Sequence, residues 1–234
     1  MKKAQSPPPN CYTSLMLKAV IFDMDGVLID SISFAYQARQ KLLAEHGIDI
    51  AQVPDQHGEQ HRGSSIRTLL AAVKDHTGTD INEQAFADKA IIALRQYLSA
   101  HNLSADPYLV RLLDDLQRHH VRCAVATSGM RQGVFSKLSA LGITEYFSVI
   151  VTANDVVDLK PAPDVYLKAA EQLGLDPKEC VAVEDSTAGV SSAKAAGCKV
   201  IGFIKYNRGA VLEDADATMS DWNECTIERL NLLY

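Results

Sequence analysis

The chain has 234 residues, of which 47% are hydrophobic and 22% charged, with a formal net charge of −6 and a pI near 5.6. That composition excludes disorder as the default state and allows a sizeable core, either as one domain or as a core with a smaller insert. The acidic balance argues against a dedicated nucleic-acid binder, which carries a basic patch, but not against an anionic small substrate, because a bound metal reverses the local field.

In chain order, residues 1–14 read as a disordered tail, since Pro7, Pro8 and Pro9 prevent regular structure. Lys2 and Lys3 run into AQSPPPN rather than an apolar stretch, so no secretory signal is expected, and no segment is long enough to span a bilayer. The first strong element is LKAVIFD at 17–23, a short apolar run that reads as a buried strand and ends in carboxylates. Residues 31–105 then hold three helical patterns, SFAYQARQKLLAEHG, SSIRTLLAAVKDHTG and NEQAFADKAIIALRQYLSAH, and no convincing strand.

From residue 106 the pattern alternates. PYLVRLLDDLQRHH at 107–120 is helical, with Leu109, Leu112, Leu113 and Leu116 on one stripe. VRCAVAT at 121–127 is a strand, GVFSKLSALG at 133–142 a helix, and YFSVIVT at 146–152 a strand. PDVYLKAAEQLG at 163–174 is a helix, CVAVEDS at 180–186 a strand, TAGVSSAKAAG at 187–197 a helix, and KVIGF at 199–203 a strand. Gly142, Gly174 and Gly197 stand where helix C-caps belong.

Alternation of this kind predicts an α/β fold, doubly wound around a mostly parallel, Rossmann-like sheet, in which ligands sit beyond the carboxyl ends of the strands. The predicted division is a tail at 1–14, a catalytic core from 15–30 and 106–234, and an inserted α-helical cap at 31–105. The five cysteines, Cys11, Cys123, Cys180, Cys198 and Cys225, are odd in number and show no CxxC spacing. A reducing, cytoplasmic setting fits them.

The strand ends carry the chemistry. Asp23 and Asp25 in FDMDGVLIDS are two carboxylates just past a buried strand, where charge needs a partner such as a hard divalent cation. A plain strand-end turn is the other reading of that motif alone. Glu184 and Asp185 end a second strand in the same way. The fold class puts both ends on one rim, and clustered carboxylates repel unless a metal or proton neutralises them. Thr127, Ser128 and Gly129 offer a hydroxyl and backbone N–H groups suited to phosphate oxygens, although those residue types also favour ordinary turns. Lys160, in DLKPAPDVY between Leu159 and two prolines, presents a point charge from a stiffened loop, with a solvated surface lysine as the alternative.

These residues together resemble the haloacid dehalogenase superfamily. DMDGVLIDS, TSG, LKPAPDVY and VEDSTAGVSSAKAAG occur in that family's order and spacing, most like the subgroup of beta-phosphoglucomutase and small sugar-phosphate phosphatases, whose members carry a helical cap after the first motif. The resemblance implies a phosphoric monoester hydrolase. Asp23 is its nucleophile, forming an aspartyl-phosphate, and Asp25 its general acid and base. Thr127 and Lys160 hold the phosphoryl oxygens. It implies Mg2+ held by Asp23, the Asp25 carbonyl and Asp185, with Glu184 in or beside the shell. A small phosphorylated metabolite is the expected partner, with no nucleic acid and no membrane; the sequence does not fix the oligomeric state, and a monomer is compatible with it. Asp25 favours phosphoryl transfer over carbon–halogen hydrolysis, which needs no acid for a leaving oxygen.

The alternative is a phosphosugar mutase. Beta-phosphoglucomutases carry a His where this chain has Ala35, and a cap Arg three residues after a Gly, where Arg67 follows Gly63 one position late. They also carry Lys-Asn where Met130 and Arg131 stand. These departures favour hydrolysis. A non-catalytic binding protein on the same fold is the third reading, and the presence of every core motif residue weighs against it. In the insert, His57, His61, Arg62 and Arg67 form a polar, partly basic cluster that could bind a second anionic group or sugar hydroxyls, or simply be a solvated loop. Arg62 cannot form a Schiff base, which argues against a phosphonate hydrolase. Ser128, Gly129, Arg131, His61, Arg62 and Arg67 are the candidate substrate contacts, and Asp30 and Ser31 the candidate cap of the first insert helix.

Overall fold

A computed structural model describes residues 17–54, 65–100, 103–206 and 211–234. Its strands, in chain order, are β1 (Ala19–Phe22), β2 (Arg122–Ala126), β3 (Phe147–Val151), β4 (Cys180–Glu184), β5 (Lys199–Phe203) and β6 (Ala217–Met219). They form one six-stranded sheet in the order β3-β2-β1-β4-β5-β6, and every neighbouring pair is parallel. The fold is therefore the α/β, Rossmann-like architecture expected from the alternation of elements.

Strand β1 sits at the centre and shows why both faces are covered. Its alternate residues point to opposite sides. Val20 and Phe22 join one apolar layer with Leu109, Leu113, Val125 and Trp222. Ala19 and Ile21 join another with Val165, Ala169, Val190 and Ala193. A strand that is apolar at every position has no face to offer water, which is the condition that parallel sheets meet by packing helices on both sides.

The helices are α1 (Ser31–Ala44), α2 (Ile66–Thr77), α3 (Glu83–Ala100), α4 (Pro107–Arg118), α5 (Arg131–Leu141), α6 (Asp164–Leu173), α7 (Thr187–Ala196) and α8 (Ile227–Asn231). Pro107 opens α4, and Asp106 caps it by accepting from the Tyr108 N–H at 2.8 Å. Helix α5 begins at Arg131, two residues before the expected start, and ends on Gly142 at φ +69°, a left-handed position that glycine occupies without strain. Asp30 caps α1 through the Ser33 N–H at 3.0 Å, while Ser31 is its first residue.

Helices α1, α2 and α3 share a third apolar cluster, including Leu42, Leu43, Leu69, Val73 and Phe86, apart from both sheet layers. Among the described residues, no strand lies between Ser31 and Ala100. Two elements had no sequence signal. Strand β6 is three residues long and alternates in burial, too short to show a period, and it forms because β5 offers it a free parallel edge. Helix α8 is five residues long, and Ile227 and Leu230 anchor it to the Trp222 layer.

Leu113 is fully buried in that layer. Leu113→Ala is expected to lower the unfolding free energy by about 2–5 kcal/mol, measured by urea denaturation. A loss below about 1 kcal/mol would show that this layer is not close-packed.

Candidate active site

Because β1, β2 and β4 run parallel, their C-terminal ends lie on one rim. Asp23 follows β1, and its N–H donates to the Val183 carbonyl at 2.9 Å, so the backbone is still in the ladder when the carboxylate appears. Thr127 follows β2 in the same way, its N–H donating to the Val151 carbonyl at 3.0 Å. Glu184 closes β4 and Asp185 comes next. All four side chains are buried.

Lys160 enters this rim from the loop between β3 and α6. Its Nζ donates to Asp23 Oδ1 at 2.6 Å, to Glu184 Oε1 at 2.6 Å and to the Ala126 carbonyl at 2.8 Å. An ammonium has three protons, and all three are placed. Tyr166 of α6 donates its hydroxyl to the same Glu184 oxygen at 2.7 Å, with its ring centroid 5.0 Å from the Lys160 Nζ. The Lys160–Pro161 peptide is cis, and Ser192 Oγ of α7 donates to the Ala162 carbonyl at 2.6 Å, tying the loop to the helix layer.

After Asp23 the chain folds back at once. The Met24 carbonyl accepts from the N–H groups of Leu28 and Ile29, and the Gly26 N–H donates to the Ile29 carbonyl at 2.9 Å. Gly26 has φ +86°, and a Cβ there would lie 1.9 Å from Asp185 Oδ2. Glycine is thus required twice over, by the turn and by the approach of a carboxylate. Asp25 is partly exposed at the rim and accepts a hydrogen bond from Lys137 of α5. The Gly129 N–H donates to Thr127 Oγ1 at 3.0 Å, leaving the hydroxyl proton of Thr127 for another acceptor.

The family model described as haloacid dehalogenase-like hydrolase matches residues 20–203. Hexitol phosphatase A of Escherichia coli is 32% identical over 213 residues, covering 91% of this chain and 94% of that protein. Beta-phosphoglucomutase of Bacillus subtilis is 31% identical over 222 residues, covering 92% and 94%. The crystal structure of a CbbY mutant from Rhodobacter sphaeroides, in complex with xylulose-(1,5)bisphosphate, superposes with a TM-score of 0.68 at 25% identity, covering 89% of this chain and 96% of that one. The chain belongs to the haloacid dehalogenase-like hydrolase family.

Members of this family generally use Mg2+, and the donor set here fits a hard cation. Oxygen atoms of Asp23, Glu184 and Asp185 lie within 4.8 Å of one another. All are carboxylate oxygens, the ligand type that Mg2+ prefers. Charge leads to the same place. Among the described residues, four carboxyl groups (Asp23, Asp25, Glu184 and Asp185) face two ammonium groups, Lys137 and Lys160, which would be an excess of two negative charges with all four ionised. The cost shows in the carboxyl groups. Burial, with Glu184 and Asp25 adding repulsion against the pull of Lys160, pushes Asp23 up to about 7. Burial, then Asp23 and Glu184, push Asp185 up to about 8. The two carboxylates hold Lys160 well above its ordinary value despite its burial.

The remaining expected contacts divide. Ser128 and Gly129 follow Thr127 beyond the end of β2, and Gly129 bonds Thr127 through its N–H. Arg131 opens α5, donates to Asp155 and is fixed through its backbone N–H to Asn154 Oδ1 at 3.0 Å. Arg67 is largely exposed on α2 and pairs with Glu83 of α3 at 3.1 Å, a partner inside the helical insert and not on the rim. His57, His61 and Arg62 lie outside the described residues. Lys137 and Tyr166 are the rim-facing groups that motif reading missed, the first because it reads as a helix-surface lysine and the second because it reads as core. Cys123, Cys180, Cys198 and Cys225 are free and buried, and burial pushes each thiol up to about 12. Among the described residues no helix is long and apolar enough to cross a membrane.

The raised carboxyl groups set a pH dependence. Folded Asp23 and Asp185 keep protons to about 7 and about 8, whereas in the unfolded chain they release them near the ordinary value of about 3.9. Their contribution to the metal-free fold therefore weakens as pH rises from about 4 to about 8. Between pH 6 and pH 8, the gain in melting temperature from Mg2+ over chelator should grow, as deprotonation readies the site. A gain independent of pH would contradict this account.

Proposed function

We propose that this protein is a Mg2+-dependent phosphatase, a phosphoric monoester hydrolase that cleaves a small phosphorylated metabolite through an aspartyl-phosphate on Asp23. Sugar phosphates are the first class to test, because several relatives are named for them. The observation that carries the reading is the buried Lys160 ammonium bonded at 2.6 Å to both Asp23 and Glu184, with Asp25 and Thr127 beside it on one rim.

In this mechanism Asp23 attacks phosphorus in line, a P–O bond forms to its carboxylate, and the bond to the leaving alkoxide breaks. Asp25, in its protonated form, gives that oxygen its proton. Asp25, now a carboxylate, then takes a proton from water, which displaces the phosphoryl group and restores Asp23. Lys160 and the Thr127 hydroxyl neutralise charge on the non-bridging oxygens. Asp23, the Asp25 carbonyl and Asp185, with Glu184 in or beside the shell, would hold Mg2+, which would supply positive charge to let an anionic nucleophile approach an anionic ester. Glu184 also acts behind the rim, since Lys160 and Tyr166 both bond its Oε1. The helical segment within 31–105 serves as a cap that limits water during the first step. A cytoplasmic setting suits an enzyme with buried, unpaired thiols.

The mutase reading differs in whether water or a second substrate oxygen receives the phosphoryl group. The relative named beta-phosphoglucomutase keeps it in view, and Ala35, Met130 and Arg131 weigh against it.

Phosphate release across a panel of phosphorylated metabolites, with Mg2+ and with chelator, tests the function. Metal-dependent release is expected. Conversion of a hexose 1-phosphate to its 6-phosphate upon addition of a bisphosphate, with no release, would establish the mutase instead. Asp23→Asn should lower turnover by at least about a thousandfold while the far-UV spectrum stays that of the folded protein. Turnover undiminished in that variant would remove Asp23 from the role of nucleophile.

A further inference from the structure

A cavity of about 1040 Å³ adjoins the rim, between α3 and α5. That is the upper end of the range typical of small-molecule pockets. Gly129 and Lys137 line it, and they connect it to the chemistry. A Cβ on Gly129 would lie 3.3 Å from Thr127 Oγ1 and 3.9 Å from Asp25 Oδ2, and Lys137 bonds Asp25 directly. An alcohol leaving from phosphorus at Asp23, and protonated by Asp25, would extend into this space.

Among the described residues the lining is mainly apolar, with Ile91 and Leu94 from α3, Leu103, and Met130, Val134 and Ala140 on the other side. Of its polar groups besides Gln132, Ser136 already donates to the Gln132 carbonyl at 2.9 Å and Asn154 accepts from the Arg131 N–H at 3.0 Å. Among the described residues two cations also line it, and each already has a carboxylate partner. Lys137 is paired with Asp25 and Arg131 with Asp155. A bare polyol needs hydrogen-bond partners along its length, and a bisphosphate needs an unpaired cation. An apolar body needs neither, and gains from leaving water.

On the strength of the phosphatase reading, we propose that the preferred substrates are monophosphate esters whose alcohol portion carries an apolar or aromatic group, seated between α3 and α5, rather than plain polyol phosphates. Ile91 and Met130 are then specificity-determining residues. Both are about half-exposed or more, so truncating them leaves the core layers intact.

The test has two readouts. First, kcat/KM for phosphate release is compared for benzyl phosphate and glycerol 3-phosphate with Mg2+ present. Second, benzylphosphonate and methylphosphonate, which carry the same charge and cannot be hydrolysed at the P–C bond, are titrated calorimetrically into the wild-type protein. The aromatic member of each pair should be favoured at least about tenfold, the scale of a few buried methylene groups. In Ile91→Ser/Met130→Ser both preferences should fall to within about twofold, through a loss on the aromatic member of each pair. Equal or reversed preference in the wild type, with glycerol 3-phosphate readily hydrolysed, overturns this inference and leaves the phosphatase standing. Tighter benzylphosphonate binding without phosphate release from any ester supports the pocket and overturns the phosphatase.

Discussion

The structure of this site depends on one buried cation. Lys160 brings an ammonium to the ends of β1 and β4, where two strands finish in buried carboxylates. Without it, Asp23 and Glu184 would be two neighbouring carboxylates in a buried site with no cation bonded to either. With it, each has a cation within hydrogen-bonding distance, and oxygens of Asp23, Glu184 and Asp185 lie where a divalent cation would share them. Tyr166 completes the arrangement from below, since its hydroxyl occupies the Glu184 oxygen that Lys160 also uses and so limits where that ammonium can sit. Removing one partner from such a set would strand a buried charge, which is why its members act as a unit rather than as separate contacts.

The fold makes that unit possible through direction. In a parallel sheet every strand delivers its last residue to the same edge, so Asp23, Thr127 and Glu184 need no long-range design to meet. The sheet's two apolar layers hold the strands in register, and the register is visible at the rim, where Asp23 and Thr127 still bond to the neighbouring strands through their N–H groups. The turn after β1 then needs Gly26, because a side chain there would occupy the space that Asp185 fills.

Much of this was legible in the sequence for a physical reason. An apolar run that ends abruptly in acid is a local pattern, and alternation with helices tells which end of each run shares an edge. Asp23, Asp25, Thr127, Lys160, Glu184 and Asp185 all follow from those two facts and the family's motif order. Lys137 does not, because it stands in VFSKLSALG as an ordinary lysine on a helix, and only the packing of α5 beside the turn after β1 turns it toward Asp25. Nor do the pairing of Arg131 with Asp155, 24 residues apart, or β6, whose three residues carry no period of their own. Local pattern finds groups fixed by strand ends. It misses groups brought in by the side of a helix.

That division has a functional counterpart. The residues proposed to handle phosphorus stand on strand ends and on one loop anchored to α7, so their geometry is inherited from the sheet. The cavity beside them is lined largely from α3 and α5; Val134 there belongs to an apolar layer, but Ile91 and Met130 are exposed and stand outside both layers. Substitutions there can change which alcohol is accepted without disturbing the Lys160 arrangement or the sheet beneath it. A mainly apolar lining next to a site rich in carboxyl groups is therefore coherent. The phosphate's charge is met at the rim, by Lys160 and by the cation the carboxylates call for, and the helices need only distinguish what the phosphate is attached to.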